Sequence, residues 1–168
     1  MMEKSKEKNG GIVEFPKEDM SSVKKLEQTN LDGHTGTCQN GRLSIGEYFS
    51  KKKEENYCIL SYIQQDKLTG YVVLRECDKK EKSVCIERFF ISDKKERKRD
   101  TKEFINGICK YCAEQGMRFA RVEIDLNKWE NLRFWFQLGF DHIVNMPFNT
   151  SFSKESFASI EIEKELYQ

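Results

Sequence analysis

A chain of 168 residues suits one domain and is long enough to bury a substantial core. Lysine plus arginine (29) nearly balance aspartate plus glutamate (28), and the formal net charge is +1. That balance argues against a protein built mainly to hold nucleic acid or an acidic membrane surface, since both rely on a net basic field.

Hydrophobic residues at 38% with only 2 prolines mark a globular chain, and 34% charged residues imply a densely ionic surface. No run approaches the ~20 apolar residues of a membrane helix. Met1 to Gly11 is rich in lysine and glutamate and lacks the apolar core of a signal peptide. It reads as a disordered tail ahead of a single domain over 12–168, and the chain is expected to stay in the cytoplasm.

Ile12 to Phe15 suits a short first strand, and Pro16 opens a helical stretch with Met20, Val23 and Leu26 at helical spacing. Asp32-Gly-His-Thr-Gly is turn chemistry, after which Ile45, Tyr48 and Phe49 share a face of a short helix. Tyr57 to Ile63 and Tyr71 to Arg75 are strand-like, with Gln64 to Gly70 as their hairpin connection. Cys77 to Lys82 reads as a polar turn, and Val84 to Ile91 (VCIERFFI) as a third strand run. A long helix over Lys98 to Gln115 places Phe104, Ile108 and Cys112 on one stripe, and Gly116 sits where a left-handed cap belongs. Phe119 to Leu126 alternates as a strand, Trp129 to Leu138 is a short aromatic helix ended by Gly139, and Phe140 to Asn145 and Phe157 to Glu163 supply the last strands. The result is an α/β mixed central sheet of about six to seven strands with helices on both faces.

Six cysteines lie at 38, 58, 77, 85, 109 and 112. Cys109 and Cys112 form a C-x-x-C inside a helical pattern, with no second pair or nearby histidine to complete a zinc site, so core packing is the reading and no metal is expected. The other four sit in or beside strand patterns and read as small buried hydrophobes. The aromatics Trp129, Phe134, Trp135, Phe136 and Phe140 read as core packing against the sheet, and His34 and His142 belong to no motif.

From residue 57 onward the order of elements resembles the GNAT N-acetyltransferase superfamily. Three matches carry the resemblance. Lys67-Leu-Thr-Gly-Tyr-Val-Val-Leu74 is similar to the family's G-x-x-V-G-x-x-x-L strand pair, and Ile86-Glu-Arg-Phe-Phe-Ile91 to its I-E-x-L-x-V fourth strand. Asn131 to Phe140 (NLRFWFQLGF) is similar to A-x-x-F-Y-x-x-x-G-F. The resemblance implies that the fourth and fifth strands splay apart for the pantetheine arm of acetyl-CoA, the co-substrate. The arm would pair along Phe89, Phe90 and Ile91 like an added strand. The pyrophosphate would rest on backbone N–H groups at the start of the next helix. Direct transfer of this kind needs no metal.

Two departures stand out. The family's loop Q/R-x-x-G-x-G/A falls on Glu96-Arg97-Lys98-Arg99-Asp100-Thr101, where Arg99 and Thr101 replace both glycines. Glycine there lets backbone approach phosphate without a Cβ in the way, whereas Arg97, Lys98 and Arg99 offer charge-assisted contacts, with Glu96 opposing them. A solvated mixed-charge loop is the alternative reading. The family's tyrosine acid falls on Trp135, whose indole is no acid near neutral pH, leaving Tyr111 and Tyr167 as other donors. Its nearby asparagine falls on Lys128, with Asn127 one residue away.

Glu87 is the catalytic candidate: a carboxylate on the acceptor side takes the amine's proton or attracts a cation, against the alternative of an ion pair with Arg88 or another base. The resemblance implies an N-acetyltransferase acting on a small amine or a protein amino group. The Ile86-Glu-Arg-Phe-Phe strand is similar to that of spermidine/spermine acetyltransferases, and dimers occur in the superfamily, so a homodimer is allowed. The rival reading is a binding or regulatory module of the same fold that has lost acetyl-CoA chemistry.

Overall fold

A computed structural model of the chain describes residues 11–14, 20–29, 36–37, 45–51, 56–92, 97–126, 129–146 and 158–167. The tail at residues 1–10, Pro16, His34, Cys38 and Glu96, all singled out by the sequence, lie outside these residues, and Gly11 opens the first strand. In chain order the elements are β1 (Gly11–Glu14), α1 (Met20–Thr29), β2 (Gly36–Thr37), α2 (Ile45–Lys51), β3 (Tyr57–Gln64), β4 (Lys67–Asp78), β5 (Ser83–Ile91), α3 (Arg97–Glu114), β6 (Phe119–Asp125), α4 (Trp129–Gln137), β7 (His142–Asn145) and β8 (Ser159–Glu165).

The strands form one mixed sheet in the order β1-β3-β4-β5-β6-β8-β7, with the two-residue β2 paired to β5 off that path. Among the described residues only β5 and β6 pair in parallel, as expected when α3 crosses between these neighbouring strands. Period-2 alternation sorts the side chains into two cores. Leu60, Tyr62, Val72, Leu74, Val84, Ile86, Phe89 and Ile91 meet Phe104, Ile105 and Ile108 of α3 and Leu132 and Trp135 of α4 on one side. Tyr57, Ile59, Tyr71, Val73 and Phe90 meet Val23 of α1 and Ile45 and Tyr48 of α2 on the other. Because both faces of β5 are covered, its residues read as an almost continuous apolar run.

Both long-range helices end as the sequence predicts. Gly116 takes φ +83° and Gly139 φ +86°. Met117 N–H then reaches back to Cys112 O at 3.0 Å and Phe140 N–H to Trp135 O at 3.2 Å, closing the last turn of α3 and α4.

Two connections differ from expectation. The β3–β4 link is not a seven-residue loop. It is the two-residue turn Gln65–Asp66, with φ +49° and +60°, and β4 starts at Lys67. A twisted two-residue turn matches the strand twist even without glycine, and the Tyr62/Ile63 register shift absorbs the extra residue on β4. Likewise β4 runs on to Asp78, so Cys77 lies in the strand and the turn begins after it; Asp78 Oδ1 accepts from the N–H groups of Lys80 and Glu81 at 2.8 and 3.1 Å. A second register shift, between Glu76 and Asp78, makes Cys77 the extra residue opposite β5. There it is joined to Cys85 as a disulfide, with Cα atoms 5.9 Å apart. The reading of these two as separate buried hydrophobes is therefore corrected: Cys85 is buried, but Cys77 is half-buried and bonded to it.

Candidate active site: the opening between β5 and β6

The parallel pair holds for three residues only, Ser83↔Phe119, Val84↔Ala120 and Cys85↔Arg121. Beyond Cys85, β5 stays with β4 while β6 stays with β8, so the two strands part toward their C-terminal ends. The reason is local. A register shift on the β4 side pairs Val73 with Arg88 but Leu74 with Ile86, which leaves Glu87 as an extra residue of β5. A bulge of this kind bends its strand and re-aims the side chains that follow. Ligands in sheets with parallel strands collect where neighbouring strands part at their carboxyl ends. Most of the site residues read from the sequence fall here: Glu87, Phe89, Phe90 and Ile91 on β5, and the first turn of α3 from Arg97.

Within that opening the side chains of β5 alternate. Phe89 and Ile91 enter the α3/α4 core, and Phe90 stacks on Tyr71 at 5.8 Å between centroids in the α1/α2 core. Trp135 is 2% exposed and meets Phe89 edge-on at 5.6 Å and Phe140 at 4.9 Å. It closes the floor of the opening on the α3/α4 side, and its indole is a wall, not a proton donor. Tyr111 stands fourteen positions after Arg97 on α3, about 20 Å along the axis from the helix start. Tyr167 follows β8 near the paired end of β6 and is 84% exposed. Neither alternative donor is near the open end.

Arg97, Lys98, Arg99, Asp100 and Thr101 are all helical. Two of these positions carry the replaced glycines, yet neither takes a positive φ. The first N–H groups of a helix have no partner within it, so the backbone donors a phosphate needs are present without glycine. Thr101 is buried. Asn127 and Lys128 lie outside the described residues, directly between Leu126 and the start of α4.

The free edge of β5 is not bare. Gly36 pairs with Phe89 and Thr37 with Arg88, antiparallel, and β2 also approaches β6. This strand was missed in the sequence, where the stretch reads as turn chemistry.

Toward β6 and β8 the face shared with α1 and α2 turns polar. Glu87 is 4% exposed and its Oε1 accepts from Arg75 Nε at 2.6 Å, so of the alternatives left by the sequence, Arg88 or another base, the partner is another base, Arg75. Arg121 Nε donates to Glu163 Oε2 at 2.8 Å, and its guanidinium also meets Glu81. Ser159 Oγ donates to Glu123 Oε1 at 2.6 Å. Glu161 lies among them, with its Oε1 3.8 Å from Cys85 Sγ. Burial raises its pKa above the ordinary glutamate value; Arg121 opposes the rise, Glu123 and Glu163 add to it, and Arg75 opposes it.

The aromatic cluster divides. Trp135 and Phe140 are buried and Phe134 half-buried, but Trp129 is 67% and Phe136 38% exposed, so the core reading fails for those two. They line, with Arg133 and Gln137, a shallow depression of about 400 Å³ on the outer face of α4. His142 is exposed on β7. Among the described residues no group of three or more histidine, cysteine or acidic side chains is arranged to hold a metal ion, and no helix is long and apolar enough to cross a membrane.

A sequence model of the Acetyltransferase (GNAT) domain matches residues 15–146. The chain belongs to the GNAT acetyltransferase family.

Solved structures of GNAT enzymes share the fold at low identity. A probable acetyltransferase from Staphylococcus epidermidis matches with a TM-score of 0.69 at 17% identity, over 94% of this chain and 99% of that one. The ribosomal-protein-S18-alanine N-acetyltransferase of Escherichia coli matches with 0.69 at 11% identity, over 95% of each chain. A dodecameric spermidine N-acetyltransferase from Vibrio cholerae matches with 0.68 at 12% identity, over 94% of each chain. No curated protein sequence matches the chain. In GNAT terms β5 and β6 are the fourth and fifth strands.

Proposed function

We propose that this GNAT protein is an acetyl-CoA-dependent N-acetyltransferase of the cytoplasm that transfers acetyl to a primary amine, on a small molecule or a protein, by direct attack. The observation that carries the reading is the parting of β5 and β6 beyond Cys85, with the N-terminus of α3 at its open end. Acetyl-CoA supplies an acetyl group activated as a thioester. The backbone of Phe89, Phe90 and Ile91 offers an edge for the pantetheine arm, with Trp135 behind it. The N–H groups of Arg97, Lys98, Arg99 and Asp100 suit the pyrophosphate, since a helix start favours anions. In sequence Glu96 and Thr101 bracket the pyrophosphate stretch, and Asn127 and Lys128 follow β6. By family analogy Glu87 lies on the acceptor side, where Arg75 is its counter-ion, and Glu123 and Glu161 favour a cationic amine there.

Titration calorimetry with acetyl-CoA and CoA tests the reading, with Arg99→Glu as control. Micromolar binding, weakened about tenfold by the charge reversal, is the expected result. A binding module of the same fold is the second reading, and one observation favours it: β2 already holds the edge of β5 at Phe89. Absence of binding at millimolar cofactor would leave that second reading standing.

A further inference from the structure

Acyl transfer from a thioester to an amine needs a group to remove the proton that keeps the acceptor an ammonium ion. Glu87 is poorly placed for this. It is 4% exposed, and the Arg75 guanidinium occupies its Oε1 at 2.6 Å. An incoming amine would have to share this buried carboxylate with a guanidinium.

Glu161 stands differently. On β8 it is paired in register with Glu123 of β6, two residues past Arg121, the last β6 residue paired with β5. Its carboxylate nevertheless reaches across β6, to 3.8 Å from Cys85 Sγ on β5. Glu161 therefore lies over the apex of the opening, where the strands begin to part. The charged and titratable groups around it are Arg121 and Glu123 on β6, Glu163 on β8 and Arg75 on β4, the last paired in turn with Glu87, with Cys85 in its disulfide; from β7, Asn145 is its register partner and His142 that of Glu163. The neighbours are committed elsewhere: Arg121 to Glu163 and Glu81, Glu123 to Ser159, Arg75 to Glu87. The Cys85 sulfur 3.8 Å from the Glu161 carboxylate is bonded to Cys77 and has no proton to give it. Burial and the two flanking carboxylates hold its proton affinity up, toward the range in which a general base works best.

We propose that Glu161 is the general base that takes the proton from the acceptor ammonium, while Glu87 serves as the counter-ion of Arg75. This rests on the acetyltransferase reading above. The ammonium gives one proton to a Glu161 carboxylate oxygen, directly or through one water. The freed nitrogen lone pair forms the C–N bond to the acetyl carbon, and the C–S bond breaks with its electron pair leaving on sulfur. The second proton lost by nitrogen goes to that thiolate, giving amide and free CoA thiol, and Glu161 returns its proton to solvent.

The test is kcat/KM from pH 5.5 to 9.5 for wild type, Glu161→Gln, Glu161→Asp and Glu87→Gln. Acetyl-CoA is the donor, and the acceptors are a panel comprising an aliphatic diamine, a polyamine, and peptides with a free α- or ε-amino group. Glu161→Gln should lose about 100-fold at pH 7. It should also lose the acid limb set by the carboxylate, leaving only a rise at higher pH that follows the amine's own deprotonation, with acetyl-CoA binding by calorimetry unchanged. Glu161→Asp should keep the limb at a reduced rate, and Glu87→Gln should keep it too. An acid limb retained in Glu161→Gln, or lost in Glu87→Gln alone, overturns the assignment while leaving the acetyltransferase reading intact. Failure of wild type to acetylate any member of the panel overturns both.

Discussion

At Glu161 the folded chain holds a proton more tightly than the unfolded one does, because the site is partly desolvated and flanked by Glu123 and Glu163. Its contribution to stability is therefore present below the unfolded pKa and lost as pH rises through the folded one. Glu161→Gln removes the unfavourable charge. The melting temperature should rise by about 2 °C at pH 8 and stay unchanged at pH 4, a small effect because the group remains partly solvated. Scanning calorimetry at the two pH values checks this, and a rise at pH 4 would contradict it. Cys109 and Cys112 make the opposite case for chemistry. Burial pushes their thiols to about 11 and about 12, so the C-x-x-C is inert at neutral pH. Iodoacetamide at pH 7.5 should modify both about 100-fold more slowly than a free thiol until urea unfolds the chain.

Among the elements, two glycines do separate work. A Cβ on Gly70 of β4 would sit 2.6 Å from the carbonyl oxygen of Phe90, so Gly70→Ala must push β4 and β5 apart. It should cost about 1–3 kcal/mol by urea denaturation. Gly116 has open space around it but φ +83°, and Gly116→Ala should cost about 1 kcal/mol by the same measurement, for conformational reasons alone. The cap at Gly116 was legible because a glycine after an amphipathic stripe has few other uses. The β5 run was legible because a strand covered on both faces needs apolar side chains throughout. What the residues did not announce depends on register. The Gln65–Asp66 turn carries no glycine, the pairing of Cys77 with Cys85 needs an extra residue in β4, and Arg75 rather than Arg88 meets Glu87 because β5 bulges there. Glu161 was overlooked in FASIEIE for the same reason: alternation tells that it faces away from Ile160 and Ile162, not that β6 lets it reach β5.

For the molecule as a whole, β2 sets the terms on which anything enters the opening. Gly36 and Thr37 belong to the stretch between α1 and α2, yet they add a strand to the edge that a pantetheine arm would use at Phe89. The chain thus carries its own competitor for that edge. A ligand pairing with β5 there binds only the fraction of molecules in which β2 has let go, and its apparent affinity falls by that fraction. Replacing Gly36 and Thr37 with proline removes both N–H groups from the ladder. CoA should then bind about 3- to 10-fold tighter by calorimetry, with no new contact to account for it. Unchanged affinity would mean that β2 and the cofactor share the edge without conflict. The cleft would in that case be selective through what its own backbone already says to itself, with strand addition by the cofactor extending β2 instead of replacing it.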